Sequence, residues 1–398
     1  MKKAFLLLPV CLLTLHSCAA HAAAPVREAY LHAIDSLVDT LSVRAKVAQL
    51  IVVTADDRYG EARKAEEDHC VRDEQIGGLI LMGKNTGPAV ARLNGLQRLA
   101  SLPLTVYTDA ECGLAMRLNT YQRFPRQGSL ARLPDDSLVY EMGRAVAAEL
   151  AQVRVQVNLA PCIDVVLDPE NNVIGARSFG ADRDRVARYG GAYARGLRDG
   201  GAWPCAKHFP GHGDTRVDSH KGLPVLDLPL ARLDSIELYP FRKLISEGVE
   251  MVMAGHLLVP ALDSLPASIS PAIITGLLRN RMGFNGIVMC DALNMKGVLD
   301  FFKGPDKGAQ ACLAAYKAGA DVLLMPTDVS RSLDMIVGWI GSDPSRLADL
   351  DSRLRKVLEI KGKSGMLDKG YDRYIDSSSL RPAASAALIR EISEAVGE

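Results

Sequence analysis

Eight short apolar runs, each followed by a helix-length amphipathic stretch, leave this chain few ways to fold. The runs cover residues 49–55, 77–82, 102–109, 155–161, 201–208, 250–256, 284–291 and 320–326. Most are apolar without alternation, which is what a parallel strand buried on both faces requires. Between them lie stretches with helical apolar spacing, at 135–152, 183–199, 234–247, 271–282, 307–318 and 328–340, and residues 342–363 form one more. Eight such units predict an α/β fold, a (β/α)8 TIM-type barrel, formed as a single domain over residues 27–363. An open doubly wound sheet is the alternative, but no GxGxxG motif follows the first run. Apolar positions from Arg27 to Ala48 predict an N-terminal helix, with Ser42 capping a second helical piece. Residues 364–398 read as a turn-rich tail that becomes helical from about Pro382, without a second folded domain.

The first 22 residues have the layout of an export signal. Lys2 and Lys3 precede an apolar stretch from Ala4 to Leu15 that is too short to span a bilayer. Two cleavage sites fit. Leu15-His-Ser-Cys18 resembles a lipoprotein box, with Cys18 as the lipid anchor, and Ala20-His-Ala22 suits ordinary cleavage before Ala23. Either one predicts an exported protein, in the periplasm or tethered to a membrane, with residues 19–27 as a small-residue tether. Formal net charge is zero, so no basic surplus directs the chain to nucleic acid. Cys70, Cys112, Cys162, Cys205, Cys290 and Cys312 show no CxxC spacing. The four beside apolar runs, Cys112, Cys162, Cys205 and Cys290, read as small buried hydrophobes.

In a barrel of this type the chemistry sits at the C-terminal ends of the strands. Those ends carry Asp109 and Glu111, Asn158 and Asp164, Lys207 and His208, His256, and Asp291. A sheet core has no use for charges there. The stretch after the fifth run is the most polar. It places His208, His212 and His220 within thirteen positions, among glycines that suit a loop able to move. In Asp218-Ser-His220 a carboxylate can orient an imidazole. Asp291 can serve as nucleophile, metal ligand or strand-end cap. No ordered cluster of metal ligands accompanies it, and no GxSxG motif supports serine hydrolysis. A carboxylate facing a proton donor on another loop, His220 or His208, fits glycoside hydrolysis.

The motifs carry a resemblance. Lys207-His-Phe-Pro-Gly-His-Gly213 followed by Asp218-Ser-His220 resembles the signature of the β-N-acetylglucosaminidase branch of glycoside hydrolase family 3. Asp109-Ala-Glu-Cys-Gly113 through Arg117, Asn158 to Asp164, Ile174 to Gly180, and Met289 to Gly297 resemble further blocks of that family, in order. The resemblance implies a retaining mechanism with Asp291 as nucleophile and His220 as acid/base, oriented by Asp218. Asp109, Arg117, Arg177, Lys207 and His208 would bind the sugar. No cofactor and no metal is implied, and no obligate protein partner. The substrate would be an N-acetylglucosaminide, from peptidoglycan or another envelope glycan. Two alternatives keep the same site: a phosphorylase using phosphate as acceptor, and a catalytically impaired glycan-binding protein. The second arises because Ala110 and Cys112 depart from the family's Gln and Gly beside Asp109. Glu111 is set aside as structural, and His212 and His256 read equally well as scaffold residues.

Overall fold

The computed structural model describes residues 19–168, 170–215 and 222–398. All eight runs form parallel strands: β1 (Ile51–Ala55), β2 (Gly78–Leu81), β3 (Thr105–Thr108), β4 (Val157–Asn158), β5 (Trp203–Phe209), β6 (Met251–Ala254), β7 (Ile287–Cys290) and β8 (Leu323–Leu324). Pairing runs in sequence order from β1 to β7, and β8 lies against β1. The bridge between Met289 and Val322 joins β7 to β8, and Cys290 N–H donates to the Val322 carbonyl at 3.1 Å. These contacts close the ring, so the barrel is the architecture found. Strands β1, β2, β3, β6 and β7 are buried along their whole length, as apolar residues covered on both faces must be.

The helices follow the apolar periodicity. Arg183–Asp199 and Lys307–Ala318 occupy the expected residues. Ser42 caps the helix Val43–Ala48, its hydroxyl accepting from Ala45 N–H at 3.2 Å. The stretch expected as one helix at 234–247 is two, Leu230–Ser235 and Leu238–Ser246. Pro240 explains the break. In a continuous helix its ring would meet the carbonyl of Ile236, whereas in the first turn of a new helix it leaves no hydrogen bond unmade. The small-residue stretch 19–27 is helical, part of the helix Ala19–Thr40. Its alanines have the highest helix propensity of any residue. Further along this helix, Ile34 and Val38 pack on Leu354 and Leu358 of the last barrel helix, Ser345–Lys363. No helix among the described residues is long and apolar enough to cross a membrane. The expected leader lies outside the described residues through Cys18.

The bottom of the barrel is closed by a lysine. Lys361 is fully buried and donates to Gln49 Oε1 at 2.9 Å and to the Pro103 carbonyl at 2.7 Å. Gln49 in turn donates to the Gln75 carbonyl. One side chain thus serves the segments that lead into β1, β2 and β3. The tail at 364–398 ends in the expected helix, here Ala386–Val396. It is also part of the main core, where Ile375, Ile392 and Val396 are buried.

Candidate active site

A cavity of about 430 Å³ opens at the C-terminal ends of the strands. That is enough room for a monosaccharide ring. Six of the eight site residues expected from the sequence line it: Asp109, Arg117, Arg177, Lys207, His208 and Asp291. The other two, Asp218 and His220, lie outside the described residues.

One wall is an ionic network. Asp109, just past β3, accepts from Lys207 Nζ at 2.8 Å and from the Arg117 guanidinium at 2.6 Å. Lys207 Nζ is also 2.8 Å from Glu111 Oε1. Arg177 binds Glu111 through two nitrogens, at 2.7 and 3.1 Å. Glu111, set aside above as structural, therefore lines the cavity and sets the position of two of its cations. The signal for it in the sequence was its place two residues past Asp109 at a strand end. Burial alone would raise the carboxyl pKa values of Asp109 and Glu111. Lys207, with Arg117 on Asp109 and Arg177 on Glu111, outweighs burial and holds both below the ordinary carboxylate range. Burial likewise disfavours the Lys207 ammonium, and the two carboxylates reverse that and raise it. Asp109, Glu111 and Lys207 are therefore charged at neutral pH.

Lys207 and His208 are consecutive, yet both line the cavity. A regular strand would point them to opposite faces. The Lys207–His208 peptide bond is cis, and the register between β5 and β6 shifts between Ala206 and Phe209, so this strand end departs from the regular alternation. Asp164, in the loop after β4, organises this corner. One of its oxygens lies 2.8 Å from His208 Nδ1. The other accepts from His208 N–H at 3.1 Å and from His212 N–H at 2.7 Å. Asp164 is held ionised, because His208 outweighs the effect of burial. An ionised carboxylate only accepts, so the His208 Nδ1–H is the donor to Asp164. Cys162 Sγ donates to Asp164 at 3.1 Å, and burial raises its thiol pKa well above the ordinary value. Cys162, Asp164 and His208 are close enough to hold a cation. In this structure they form a hydrogen-bonded cluster, the Cys162 thiol and the His208 Nδ1–H both donating to Asp164.

His212 supports the loop that follows β5. Its Nδ1 lies 2.6 Å from Thr215 Oγ1, and its ring meets His208 edge to face. Burial, then the His208 charge, lowers its pKa. Asn171 donates to the carbonyls of His212 and Gly213 at 3.0 and 2.9 Å, tying this loop to the one after β4.

Asp291 faces the network from the end of β7. Ala292 N–H donates to its Oδ1 at 2.7 Å, and its own N–H donates to the Ala254 carbonyl. Burial raises its carboxyl pKa, but His256, His208 and Ala292 N–H together bring it below the ordinary value. His256 holds the turn by a hydrogen bond from Nε2 to the Ala292 carbonyl at 2.9 Å. Nδ1 faces Ser268 Oγ at 2.6 Å. Three cations (Lys207, Arg117, Arg177) thus face three carboxylates (Asp109, Glu111, Asp291). The remaining lining is largely apolar: Met82, Met116, Met253, Met295 and Met325. Ala110 and Cys112, where the motif departs from the family pattern, do not line the cavity. Ala110 is held through its backbone by Asn158, and Cys112 is buried. All six described cysteines are free and buried.

The glycosyl hydrolase family 3 N-terminal domain matches residues 42–360, the whole barrel. The chain belongs to glycosyl hydrolase family 3. The class expected from the motifs, a glycoside hydrolase, is the class of this family. Among curated relatives, Beta-hexosaminidase LpqI of Mycobacterium tuberculosis is 35% identical over 336 residues, covering 81% of this chain and 83% of that protein. Beta-hexosaminidase A of Pseudoalteromonas piscicida is 35% identical over 286 residues, 65% of this chain. The match spans only 47% of that longer protein, about half its length. Among solved structures, a glycoside hydrolase family 3 beta-N-acetylglucosaminidase from Paenibacillus sp. str. FPU-7 superposes with a TM-score of 0.79 at 31% identity. That superposition covers 90% of this chain and 69% of that one.

Proposed function

We propose that this chain is a retaining β-N-acetylhexosaminidase that removes terminal N-acetylglucosamine from glycosides through a covalent glycosyl-aspartate on Asp291. The observation that carries the reading is the pairing of an ionised Asp291 with a preformed ionic wall across one sugar-sized cavity. The relatives named above as beta-hexosaminidases and the beta-N-acetylglucosaminidase structure support the choice of sugar. In the first step the Asp291 carboxylate forms a bond to the anomeric carbon as the bond to the leaving oxygen breaks. His220, oriented by Asp218, gives that oxygen its proton. In the second step His220 takes a proton from water, the water oxygen bonds to the anomeric carbon, and the Asp291 carboxylate departs. Two inversions give retention.

A histidine suits this place because it changes protonation near neutral pH. It also adds no second negative charge beside Asp291. Asp109, Arg117, Arg177, Lys207 and His208 bind hydroxyls and the N-acetyl group. Their mutual ion pairs hold them in place before substrate arrives, which lowers the ordering cost of binding. Export, with envelope glycans such as peptidoglycan as target, rests on the leader pattern at residues 2–18. A panel of aryl glycosides (glucoside, xyloside, N-acetylglucosaminide) tests the reading. The wild type should release phenol fastest from the N-acetylglucosaminide, and Asp291→Ala should abolish release. Unchanged turnover by Asp291→Ala would sink the assignment.

A further inference from the structure

The helix Ser137–Gln152 carries two buried or half-buried groups, one turn apart, that the mechanism does not use. Each joins the C-terminal segment to the loop after β3. Glu149 is buried, and its Oε2 accepts from Leu114 N–H at 3.0 Å while its Oε1 accepts from Ser385 Oγ at 2.7 Å. Three residues on, Gln152 Oε1 accepts from Tyr121 Oη at 3.2 Å and from Arg381 N–H at 2.6 Å. Both far partners belong to the tail, beyond the family-matched residues 42–360. Both near partners belong to the loop that carries Arg117.

The path from Glu149 to the site is short. Leu114 opens the 3₁₀ turn Leu114–Met116, and Arg117 closes it, its N–H donating to the Leu114 carbonyl at 2.8 Å. Arg117 then reaches Asp109 at 2.6 Å. Gly113, just before the turn, has φ of 81°, and a Cβ there would come within 2.9 Å of Glu149 Oε2. The loop is therefore pressed directly onto that carboxylate. The tail's grip on the barrel is independent of this contact. Asn94 exchanges two hydrogen bonds with the Ile375 backbone, and Arg132 Nε donates to the Val396 carbonyl at 2.9 Å.

We propose that the C-terminal segment is a working part of the sugar site, setting the position of Arg117 through Ser385, Glu149 and the turn at Leu114. Glu149 and Ser385 are positioning residues in this account, and the proposal rests on Arg117 binding the sugar. Ser385→Ala removes one link and leaves the rest of the segment in place. Losing one hydrogen bond in this chain should raise KM for the aryl N-acetylglucosaminide about three- to tenfold, with kcat within about twofold. Glu149→Ala should do more. Glu149→Gln should recover most of the loss, since an amide oxygen can accept from Leu114 while its NH2 donates to Ser385. In an Arg117→Ala background Ser385→Ala should add nothing, because its effect passes through Arg117. A merely structural role would lower stability and add its effect there too. Amide hydrogen exchange over residues 109–121 needs no substrate. It should speed up in full-length Ser385→Ala, and it stays informative if the sugar assignment fails. Unchanged exchange there, an unchanged KM, or a full additive effect beside Arg117→Ala overturns the proposal.

Discussion

Replacing Lys207 with methionine keeps the volume and removes the charge on which the ionic wall depends. Lys207 is 2% exposed, and its ammonium lies 2.8 Å from both Asp109 and Glu111. At that distance each pair attracts by about 6 kcal/mol at an effective dielectric near 20, before desolvation is charged against it. Arg117 and Arg177 remain, so neither carboxylate is wholly abandoned. The expected net loss is that of a buried pair deprived of one partner, about 3–5 kcal/mol at pH 7. The pH dependence gives the sharper test. In the wild type both carboxyl pKa values are depressed. Their contribution is present above the unfolded values near 4 and is lost as pH falls through the folded ones. Lys207→Met moves those folded values upward, so the variant's deficit should be largest at neutral pH and shrink as both carboxyls protonate. Equilibrium unfolding of wild type and variant at pH 7 and pH 4 measures it. A deficit below about 1 kcal/mol at pH 7, or one that does not change with pH, would refute the reasoning.

Three other substitutions probe separate parts of the account. Asp164→Asn frees the His208 ring and loosens the backbone at His208 and His212, so activity should fall about ten- to a hundredfold, and the unsatisfied buried donors should lower stability by about 1–3 kcal/mol. A loss below twofold would show that holding His208 through Asp164 does not matter to activity. Gly213→Ala places a Cβ 1.9 Å from the Val165 carbonyl, which neither backbone can yield cheaply. The variant should lose about 2 kcal/mol or more in denaturant melts, along with most of its activity. Burial lowers Lys361 to about 7, so the unfolded chain binds its proton more readily, and wild-type stability should rise with pH from about 7 toward 10. The slope is at most about 1.4 kcal/mol per pH unit, and Lys361→Met should flatten it. An identical slope in both proteins would count against the lowered Lys361 pKa.

The barrel was legible because its strands are unbroken apolar runs, and burial on both faces needs no other signal. The split at Pro240 and the helical stretch 19–27 were misread for local reasons. A proline in a first turn looks like one inside a helix, and a run of alanines resembles a linker until it is paired with the helix that follows. Asp109, Lys207, His208 and Asp291 stood out as charges at strand ends. Glu111 stood among them but was set aside as structural, because its place in the site depends on Lys207 and Arg177, 96 and 66 residues away in sequence. Asp164 was visible only as one more polar strand end; that it holds His208 and His212 together depends on how the loops after β4 and β5 meet. The links from Glu149 and Gln152 to the tail span more than 200 residues, and no local pattern announces them.

The central claim is that Asp291 forms a bond to the sugar. Incubating the purified protein with a fluorinated N-acetylglucosaminide, digesting it, and sequencing the labelled peptide by mass spectrometry reads that bond directly. The expected result is one sugar adduct per chain, on Asp291, formed as activity is lost and released as activity returns. An adduct on another carboxylate, or inactivation with Asp291 unmodified, would contradict the account.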